Sequence, residues 1–199
     1  KLILTAFIAT LIFVCITYLP IIKLIGMKIS DYLKGAFEPW LIAFTTCSSA
    51  AALAVNLEAS RKMGASKAIA SFAIPLGNTI NMNGTSIYMG VTAVFAAEVF
   101  GIDLTLAQQF QIVLMGVLAA VGTAGVPGAG LIMTTLVFTE VGIPLEAVAL
   151  IAGIDRILDM IRTSVNVLGD SLTALVVSKS EGVLGTELMD QDTVVKEQL

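Results

Sequence analysis

Apolar stretches separated by short polar connections divide most of the chain into five consecutive segments. These segments are residues 2–26, 38–63, 66–100, 106–144 and 145–178. The first is almost uninterrupted and exceeds the roughly 20 residues that a helix needs to cross a bilayer. The other four carry polar or glycine-rich positions at their centres or along one face. The pattern predicts an all-α integral membrane protein in which residues 1–178 form one transmembrane domain.

Residues 38–63 consist of two apolar halves around a serine-rich and alanine-rich centre at 45–52. Each half is too short to cross a bilayer alone, which predicts a re-entrant helical hairpin with its tip at mid-membrane. The alternative is one continuous helix whose Ser and Ala side chains pack against a neighbour. The residues alone leave both interpretations open.

Residues 66–100 are interrupted at 77–85, where two Gly and three Asn are poor helix formers. In lipid, the backbone groups that such a break frees must be satisfied inside the protein or by an ion. We therefore expect a transmembrane helix with an unwound centre whose carbonyls face a cation. A buried Asn cluster that only holds helices together is the alternative.

Residues 106–144 repeat the hairpin pattern around the glycine-rich segment 122–130. Pro127 among these glycines prevents a regular helix, and the flexible tip could act as a gate. A phosphate-binding loop is disfavoured, because the Gly-Lys-Ser/Thr ending is missing and no Lys lies nearby. The order of hairpin, broken helix, hairpin and polar-faced helix is typical of internal repeats that hold a binding site at the bilayer midplane.

The last apolar segment, 145–178, is predicted to be one helix with a polar face. The polar residues follow one another at intervals of 4, 3, 1, 3 and 4: Asp155, Asp159, Arg162, Thr163, Asn166 and Asp170. Most of them therefore share one side of a helix. Ionisable groups at bilayer depth cost about 2.5–3.5 kcal/mol each, so they normally face a functional cavity. Carboxylates beside a guanidinium can hold a zwitterion and a metal cation, which indicates an ion-driven transporter of a charged small molecule.

Composition excludes several other classes of protein. The chain is 57% hydrophobic and 13% charged, unlike a soluble domain. It has no basic patch for a nucleic-acid partner. It lacks His, and its two Cys are far apart, so neither a His-ligated metal nor a disulfide framework is expected. An enzyme is disfavoured, since no nucleophile, metal triad or cofactor loop accompanies the carboxylates. Residues 179–199 are acidic and are predicted to form a solvated tail.

Three motifs, in this order along the chain, resemble those of the glutamate/aspartate transporter family, the dicarboxylate/amino acid:cation symporters. They lie at 81–85, 122–130 and 159–170. The resemblance implies the C-terminal, transport-domain half of an elevator-type transporter: a sixth transmembrane helix, hairpin 1, helix 7, hairpin 2 and helix 8. It implies a multi-pass protein of the plasma or inner membrane. A scaffold outside this chain would then build a homotrimer.

The resemblance also assigns roles to individual residues. In the family, the arginine at the position of Arg162 grips the side-chain carboxylate of the substrate, and Asp159 matches the residue that binds the amino group. Neutral amino acid transporters carry another residue at the arginine position. The implied substrate contacts are Cys47, Ser48, Ser49, Thr85, Val126, Gly130, Asp159, Arg162, Thr163 and Asn166.

Sodium ions would bind at two sets of oxygen atoms, as hard cations require. One set comprises carbonyls of Gly77, Asn81 and Asn166 with the carboxylate of Asp170. The other comprises carbonyls of Thr79, Ala120, Val121 and Thr123. The second set lies at the tip of the second hairpin, so closure of that tip over substrate would complete it and couple the two ligands. The alternative role for these residues is helix packing.

The chain departs from the family pattern at a few positions. Asn83 replaces an aspartate of a further sodium site, Met89 replaces a glutamate implicated in proton transport, and neither Cys47 nor Met160 is the extra arginine of other members. Ion number and potassium counter-transport therefore stay open. The expected function is sodium-driven symport of aspartate or glutamate. Proton-coupled transport of a succinate-like dicarboxylate and a passive channel are the alternatives.

Overall fold

Helices are the only regular elements in residues 1–186, the part of the chain that this computed structural model describes. This confirms the all-α prediction for that part of the chain. The helices are α1 (Leu2–Leu24), α2 (Ile29–Gly35), α3 (Phe37–Thr46), α4 (Ser49–Lys62), α5 (Lys67–Ile80), α6 (Asn83–Val99), α7 (Leu106–Val121), α8 (Ala129–Val141), α9 (Glu146–Ala152) and α10 (Asp155–Ser180).

Helix α1 is the one helix within residues 1–186 that is long and apolar enough to cross a membrane, with a mean hydropathy of 2.5. Its centre, Val14–Tyr18, is a π-helical turn. Pro20 follows this turn and has no N–H to donate to the preceding turn, which is a common reason for such a local widening. Much of its apolar surface points outward, including Leu4, Ile16 and Leu24.

Helices α3 and α4 are separated by a sharp reversal at Cys47 and Ser48. Cys47 has a left-handed backbone with φ 55°, and Ser48 is extended with φ −137°. The Ser48 hydroxyl accepts a hydrogen bond from the N–H of Ala51 and so caps the start of α4. The two helices pack against each other and both pack on α10. One continuous helix over 38–63 is therefore excluded.

The break between α5 and α6 is shorter than the sequence predicts. Residues 77–80 stay helical, and only Asn81 and Met82 leave the helix. The reason is that the N–H of Asn81 still bonds to the carbonyl of Gly77, at 2.8 Å. Beyond the break, the side-chain oxygen of Asn166 accepts the N–H of Gly84 at 2.8 Å. Helix α10 thus caps the new start of α6.

Helices α7 and α8 form a second packed pair around the non-helical tip 122–128. Thr105 and Gln108 build a reciprocal cap at the start of α7. Gly128 has φ 77°, a left-handed conformation that favours glycine, and α8 begins directly after it.

The prediction of a single helix over 145–178 was wrong, since the structure divides this segment into α9 and α10. Gly153 and Ile154 separate them, and Ile154 has a non-helical backbone with φ −121° and ψ 0°. One reason is that glycine is a poor helix former. A second is that a new helix beginning at Asp155 places this carboxylate in the first turn of α10, where the helix dipole favours negative charge. All six predicted polar residues of α10 are buried.

Helix α10 occupies the centre of the fold and contacts α1, α3, α4, α5 and α6. A small apolar cluster of Ala43, Ala52 and Val167 and two larger apolar cores lie around it. One of the larger cores contains Met89, Phe138 and Ile151, and the other contains Tyr32, Ile74 and Leu175.

The prediction of a solvated tail from residue 179 needs correction where the structure describes it. Helix α10 continues to Ser180, the N–H of Gly185 donates to the carbonyl of Gly64 at 2.8 Å, and Leu184 packs on an apolar core. Glu181 is exposed. Residues 187–199 lie outside the described part of the chain.

The two ends of the helix bundle carry opposite charge. Hydrogen bonds from Ser66 to Ser178 and from Gly185 to Gly64 join the loop after α4 to the end of α10. Basic residues are in excess at this end: Lys23, Lys28, Lys34, Arg61, Lys62, Lys67 and Lys179 outnumber the acidic Asp31, Glu38, Glu58 and Glu181. Acidic residues Glu98, Asp103, Glu140 and Glu146 lie at the other end, with Lys1. We call these the basic end and the acidic end.

The close approach of α6 to α10 should make Gly84→Ala destabilising. A Cβ at Gly84 would overlap the backbone carbonyl of Arg162, which cannot move aside as a flexible side chain can. We expect a loss of about 1–3 kcal/mol, typical of overpacking, seen as a lower apparent Tm of the purified protein in detergent. Gly90→Ala in the same helix is the control, because a Cβ there meets nothing within 4 Å. Equal stability of the two variants would contradict the packing described.

Candidate functional site

The carboxylate of Asp159 binds three neighbouring groups. Its Oδ1 forms an ion pair with Nη2 of Arg162 at 2.8 Å and accepts the hydroxyl of Thr163 at 2.7 Å. Its Oδ2 accepts the N–H of Gly128 at 2.8 Å, so it also reaches the tip of the second hairpin. Asp159 and Arg162 are 3% and 4% exposed. Such a buried ion pair requires well-placed partners, since desolvating two charges is costly.

One terminal nitrogen of the Arg162 guanidinium makes no hydrogen bond within the described residues. This atom, Nη1, is buried. The planar group stacks over the ring of Tyr88 at 4.5 Å from its centroid. A Cβ at Gly130 would overlap the guanidinium, so the absence of a side chain there leaves room for it. A buried, planar cation with a free N–H is well suited to bind a carboxylate.

Sequence reasoning overlooked the roles of Tyr88 and Asp155 in supporting Arg162. The hydroxyl of Tyr88 donates to Oδ1 of Asp155 at 2.8 Å, while its ring lies under the guanidinium. Tyr88 lies one helical turn after Thr85, on the same face of α6, and that spacing is the signal that could have identified it.

The side chain of Asn166 joins α10 to the start of α6. Its Nδ2 donates to Oγ1 of Thr85 at 3.1 Å, and its Oδ1 accepts the N–H of Gly84. Its backbone carbonyl accepts from Nδ2 of Asn81 at 3.3 Å. Asn166 therefore contacts Thr85, a predicted substrate residue, and Asn81, a predicted sodium ligand.

The tips of the two hairpins meet at one carbonyl. The oxygen of Gly125 accepts the hydroxyl of Ser48 at 2.9 Å and the N–H of Ala50 at 3.1 Å. A Cβ at Gly125 would contact the side chains of Asn78 and Ser49. The oxygen of the Asn78 side chain is buried without a partner within the described residues.

These groups enclose a small cavity between α6, α10 and the two tips. Eight of the ten predicted substrate residues line it: Ser49, Thr85, Val126, Gly130, Asp159, Arg162, Thr163 and Asn166. Met82, Thr123, Ala124 and Gly125 complete the lining. Its volume is about 10 Å³, roughly the space of one water molecule. A larger ligand can enter only if the tips or the Arg162 side chain move.

The remaining two predicted substrate residues lie beside the cavity. Ser48 is bonded to Gly125, as described. Cys47 is buried, and its thiol is 3.7 Å from the backbone oxygen of Arg156. Both belong to the tip of the first hairpin.

The first predicted sodium set is brought together around Asp170, which is 2% exposed. Its Oδ1 accepts Nδ2 of Asn81 at 2.8 Å, and the same amide reaches the carbonyl of Asn166. A Cβ at Gly77 would contact the Asp170 carboxylate. No cation pairs with Asp170 among residues 1–186. A buried carboxylate with no positive partner in the described residues fits a small hard cation.

As a whole, the residues of the second predicted sodium set are more exposed than those around Asp170. The N–H of Thr123 donates to the carbonyl of Ala120 at 2.9 Å, which places these two residues together at the end of α7. Val121 and Thr79 are exposed. Helices α5 and α7, which carry Thr79 and Val121, are in contact.

Asn83 and Met89, two departures from the family pattern, are accommodated in different ways. Asn83 donates from Nδ2 to Oδ1 of Asn81 at 2.6 Å and to the hydroxyl of Tyr18 at 3.0 Å. Met89 is fully buried in an apolar core. A neutral amide network and a packed thioether thus occupy these two positions.

Residues 1–180 match the sequence profile of the sodium:dicarboxylate symporter family. The chain belongs to this family. It is 38% identical over 187 residues to a proton/sodium-glutamate symport protein of Geobacillus stearothermophilus, covering 94% of this chain and 44% of that protein. It is 36% identical to a proton/glutamate-aspartate symporter of Escherichia coli (strain K12), with coverage of 91% and 41%.

A third relative, excitatory amino acid transporter 2 of Homo sapiens, is 39% identical over 170 residues, with coverage of 82% of this chain and 30% of that protein. The chain thus spans less than half the length of these relatives. The family consists of membrane symporters, which are transporters and not enzymes.

Ser48→Ala should loosen the junction of the two tips. The hydroxyl both caps α4 and donates to Gly125, so its loss removes two hydrogen bonds. We expect destabilisation of about 1–2 kcal/mol, measured as a lower apparent Tm. Thr45→Ala is the control, because that exposed hydroxyl bonds only within its own helix, to Leu41 and Ile42. If both substitutions lower the Tm equally, the junction contributes nothing specific.

Proposed function

We propose that this chain is the transport domain of a sodium-driven symporter for aspartate or glutamate. The observation that carries the proposal is Arg162, which lines a cavity between the two hairpin tips and has a buried Nη1 without a hydrogen-bond partner in residues 1–186. Asp159 lies beside it at 2.8 Å. A buried cation and a buried anion side by side complement a zwitterion with an additional carboxylate.

Each charged group of such a substrate has a partner in the cavity. The side-chain carboxylate would bind Arg162, and the amino group would bind Asp159. The remaining carboxylate would bind donors at the two tips, Ser49 and the backbone of Val126 and Gly130. Thr85, Thr163 and Asn166 would add hydrogen bonds, and Cys47 and Ser48 would shape the first tip.

Substrate entry requires the ion pair to exchange partners. The cavity of about 10 Å³ is too small for an amino acid, so the glycine-rich tip 122–128 would move outward. Asp159 holds that tip through the N–H of Gly128. An ammonium group competing for this carboxylate would therefore act directly on the tip, which gives gating a physical basis.

The named relatives support acidic amino acids as the substrate class. They are glutamate symporters, a glutamate-aspartate symporter and an excitatory amino acid transporter. The pair of Arg162 and Asp159 agrees with this chemistry. Asp159 favours an amino acid over a simple dicarboxylate, because a dicarboxylate lacks the ammonium group that this carboxylate would bind.

Sodium would bind at Asp170 with carbonyls of Gly77, Asn81 and Asn166, and at a second set formed by Thr79, Ala120, Val121 and Thr123. Asn166 links the first set to the cavity, since its carbonyl faces Asn81 and its side chain bonds Thr85. Sodium bound at the Asn166 carbonyl would hold this residue in place and so favour substrate binding at its side chain, and the reverse would also hold. This is the reciprocal coupling that symport requires.

A further sodium site is expected to be weak in this protein. Asn83 supplies an amide in place of a carboxylate, and it is already bonded to Asn81 and Tyr18. A neutral amide attracts a cation less strongly than a carboxylate does. We therefore propose a smaller number of coupled sodium ions than in members with an aspartate at this position.

The wider architecture follows the same proposal. Residues 1–178 would form a transmembrane transport domain with two re-entrant hairpins, and it would move as an elevator against a scaffold that builds a homotrimer. The basic end would face the cytoplasm, because Lys and Arg concentrate on that side of membrane proteins. The membrane would be the plasma or inner membrane.

A proton-coupled variant is the second candidate, since the names of several relatives include proton coupling. Met89 argues against a proton carrier at its own position, because a buried thioether cannot titrate. Family membership argues against the passive channel, and so does the small volume of the cavity, about 10 Å³.

Titration calorimetry of aspartate, glutamate and succinate, with and without sodium, tests the proposed function. We expect sodium-dependent binding of an acidic amino acid and much weaker binding of succinate. Arg162→Ala should lower the affinity by at least about 100-fold, because a buried charged hydrogen bond is lost. Arg162→Lys keeps the charge without the planar fork and should recover only part of the affinity. Undiminished aspartate binding by Arg162→Ala would refute the assigned role.

Asp170→Asn should remove the response to sodium. In the unmodified protein, we expect the apparent Tm to rise when NaCl replaces choline chloride, since a ligand of the folded state stabilises it. The variant should show a much smaller rise, because the carboxylate no longer compensates the cation. Asp103→Asn, an exposed change at the acidic end, is the control. An unchanged sodium response in Asp170→Asn would exclude Asp170 from the ion site.

A further inference from the structure

Arg156 reaches from the first turn of α10 to the tip of the first hairpin. Its Nη2 donates to the carbonyl of Thr45 at 2.8 Å, and its Nη1 donates to that of Thr46 at 3.5 Å. In return, the thiol of Cys47 donates to the backbone oxygen of Arg156 at 3.7 Å. One side chain thus contacts the last two residues of α3, directly before the reversal.

The physical setting favours a cation at this place. The last carbonyls of a helix have no partner within the helix, and α3 ends abruptly because Cys47 takes a left-handed conformation. A positive charge near a helix C-terminus is stabilising, because the helix dipole is negative there. A planar guanidinium can serve two such carbonyls at once, which an ammonium group does less well.

Two side chains of opposite charge, one helical turn apart on α10, form hydrogen bonds with the two hairpin tips. Arg156 holds the C-terminal end of α3, and Asp159 holds the N-terminal end of α8 through the N–H of Gly128. Each charge matches the sign of the helix end that it meets. Helix α10 is therefore the common support of both tips.

Arg156 and Asp159 differ in their other contacts. Asp159 lines the cavity and also binds Arg162 and Thr163. Arg156 is exposed and lies outside the residues that line the cavity. A ligand in the cavity therefore competes for Asp159 and leaves the contacts of Arg156 intact.

We propose that Arg156 is a positioning residue that latches the first hairpin tip to α10. Through this latch it fixes the location of Ser48 and Ser49 at the edge of the cavity, whichever partners Asp159 has. The latch itself follows from geometry alone. Only its effect on ligand binding rests on the proposed function.

Cys47 offers a direct readout of the latch, because it lies at the tip and is 0% exposed. Cys15, the other free thiol, is exposed and is first replaced in a Cys15→Ser background. The purified protein is treated with N-ethylmaleimide, and the rate of Cys47 modification is followed by mass spectrometry. Loss of the latch should expose the thiol more often, since local opening controls its access.

We expect Arg156→Gln to raise the modification rate by about tenfold or more, because hydrogen bonds from a charged group are lost. Arg156→Lys retains the charge but not the fork, and its rate should be intermediate. Lys62→Gln is the matched control, since it removes an exposed cation from the other end of the same hairpin. Its rate should equal that of the parent protein.

Two results would overturn the proposal. One is an Arg156→Gln protein whose Cys47 reacts as slowly as in the parent. The other is a Lys62→Gln protein whose Cys47 reacts as fast as in Arg156→Gln, which would indicate general loosening. If Arg156→Gln does not yield folded protein, Arg156→Lys decides, because an unchanged rate in that variant would equally contradict a fork-dependent latch.

Aspartate titration of the same variants separates this proposal from the proposed function. Arg156→Gln should weaken binding by about tenfold, through misplacement of Ser49, with Arg156→Lys restoring part of it. If the parent protein binds no acidic amino acid, the proposed function fails and the labelling result still stands. If binding is normal in the parent and in Arg156→Gln, the latch does not position the cavity.

Discussion

The ion pair between Arg162 and Asp159 is the interaction on which the rest of the site depends. Both groups are almost fully buried, so each must be compensated by its surroundings. The surroundings include the ring of Tyr88 beneath the guanidinium, the hydroxyl of Thr163, and the N–H of Gly128 in the second hairpin. Because these partners come from several elements, the position of one element constrains the others.

Polar residues along the whole length of α10 bond to other elements in the same way. Arg156 and Asp159 contact the two hairpins, Asn166 caps the start of α6, and Asp170 meets the interrupted helix at Asn81. Six polar residues of α10, Asp155, Asp159, Arg162, Thr163, Asn166 and Asp170, are turned inward. Polar groups at the centre and apolar residues such as Leu4, Phe72 and Phe110 on the outside suit a domain surrounded by lipid.

Sequence alone predicted the helical class, and the spacing on α10 predicted which of its polar residues share a face. Residues whose role depends on distant partners were harder to assign. The alanine-rich centre of 38–63 is compatible with one helix or with two. Nothing in the sequence around Cys47 indicates its left-handed backbone. The retained helix at 77–80 depends on a local hydrogen bond, from the N–H of Asn81 to the carbonyl of Gly77. Tyr88 and Arg156 act through contacts with residues far away in the sequence.

The shared acceptor at Gly125 has a consequence for how the hairpins separate. One oxygen receives both the Ser48 hydroxyl and the Ala50 N–H, so a displacement of that peptide breaks both bonds in a single event. Intermediate positions keep neither bond at good length, because hydrogen-bond energy falls steeply with distance and angle. The contact between the two tips therefore has two states, bonded and separated, and partly opened positions are disfavoured.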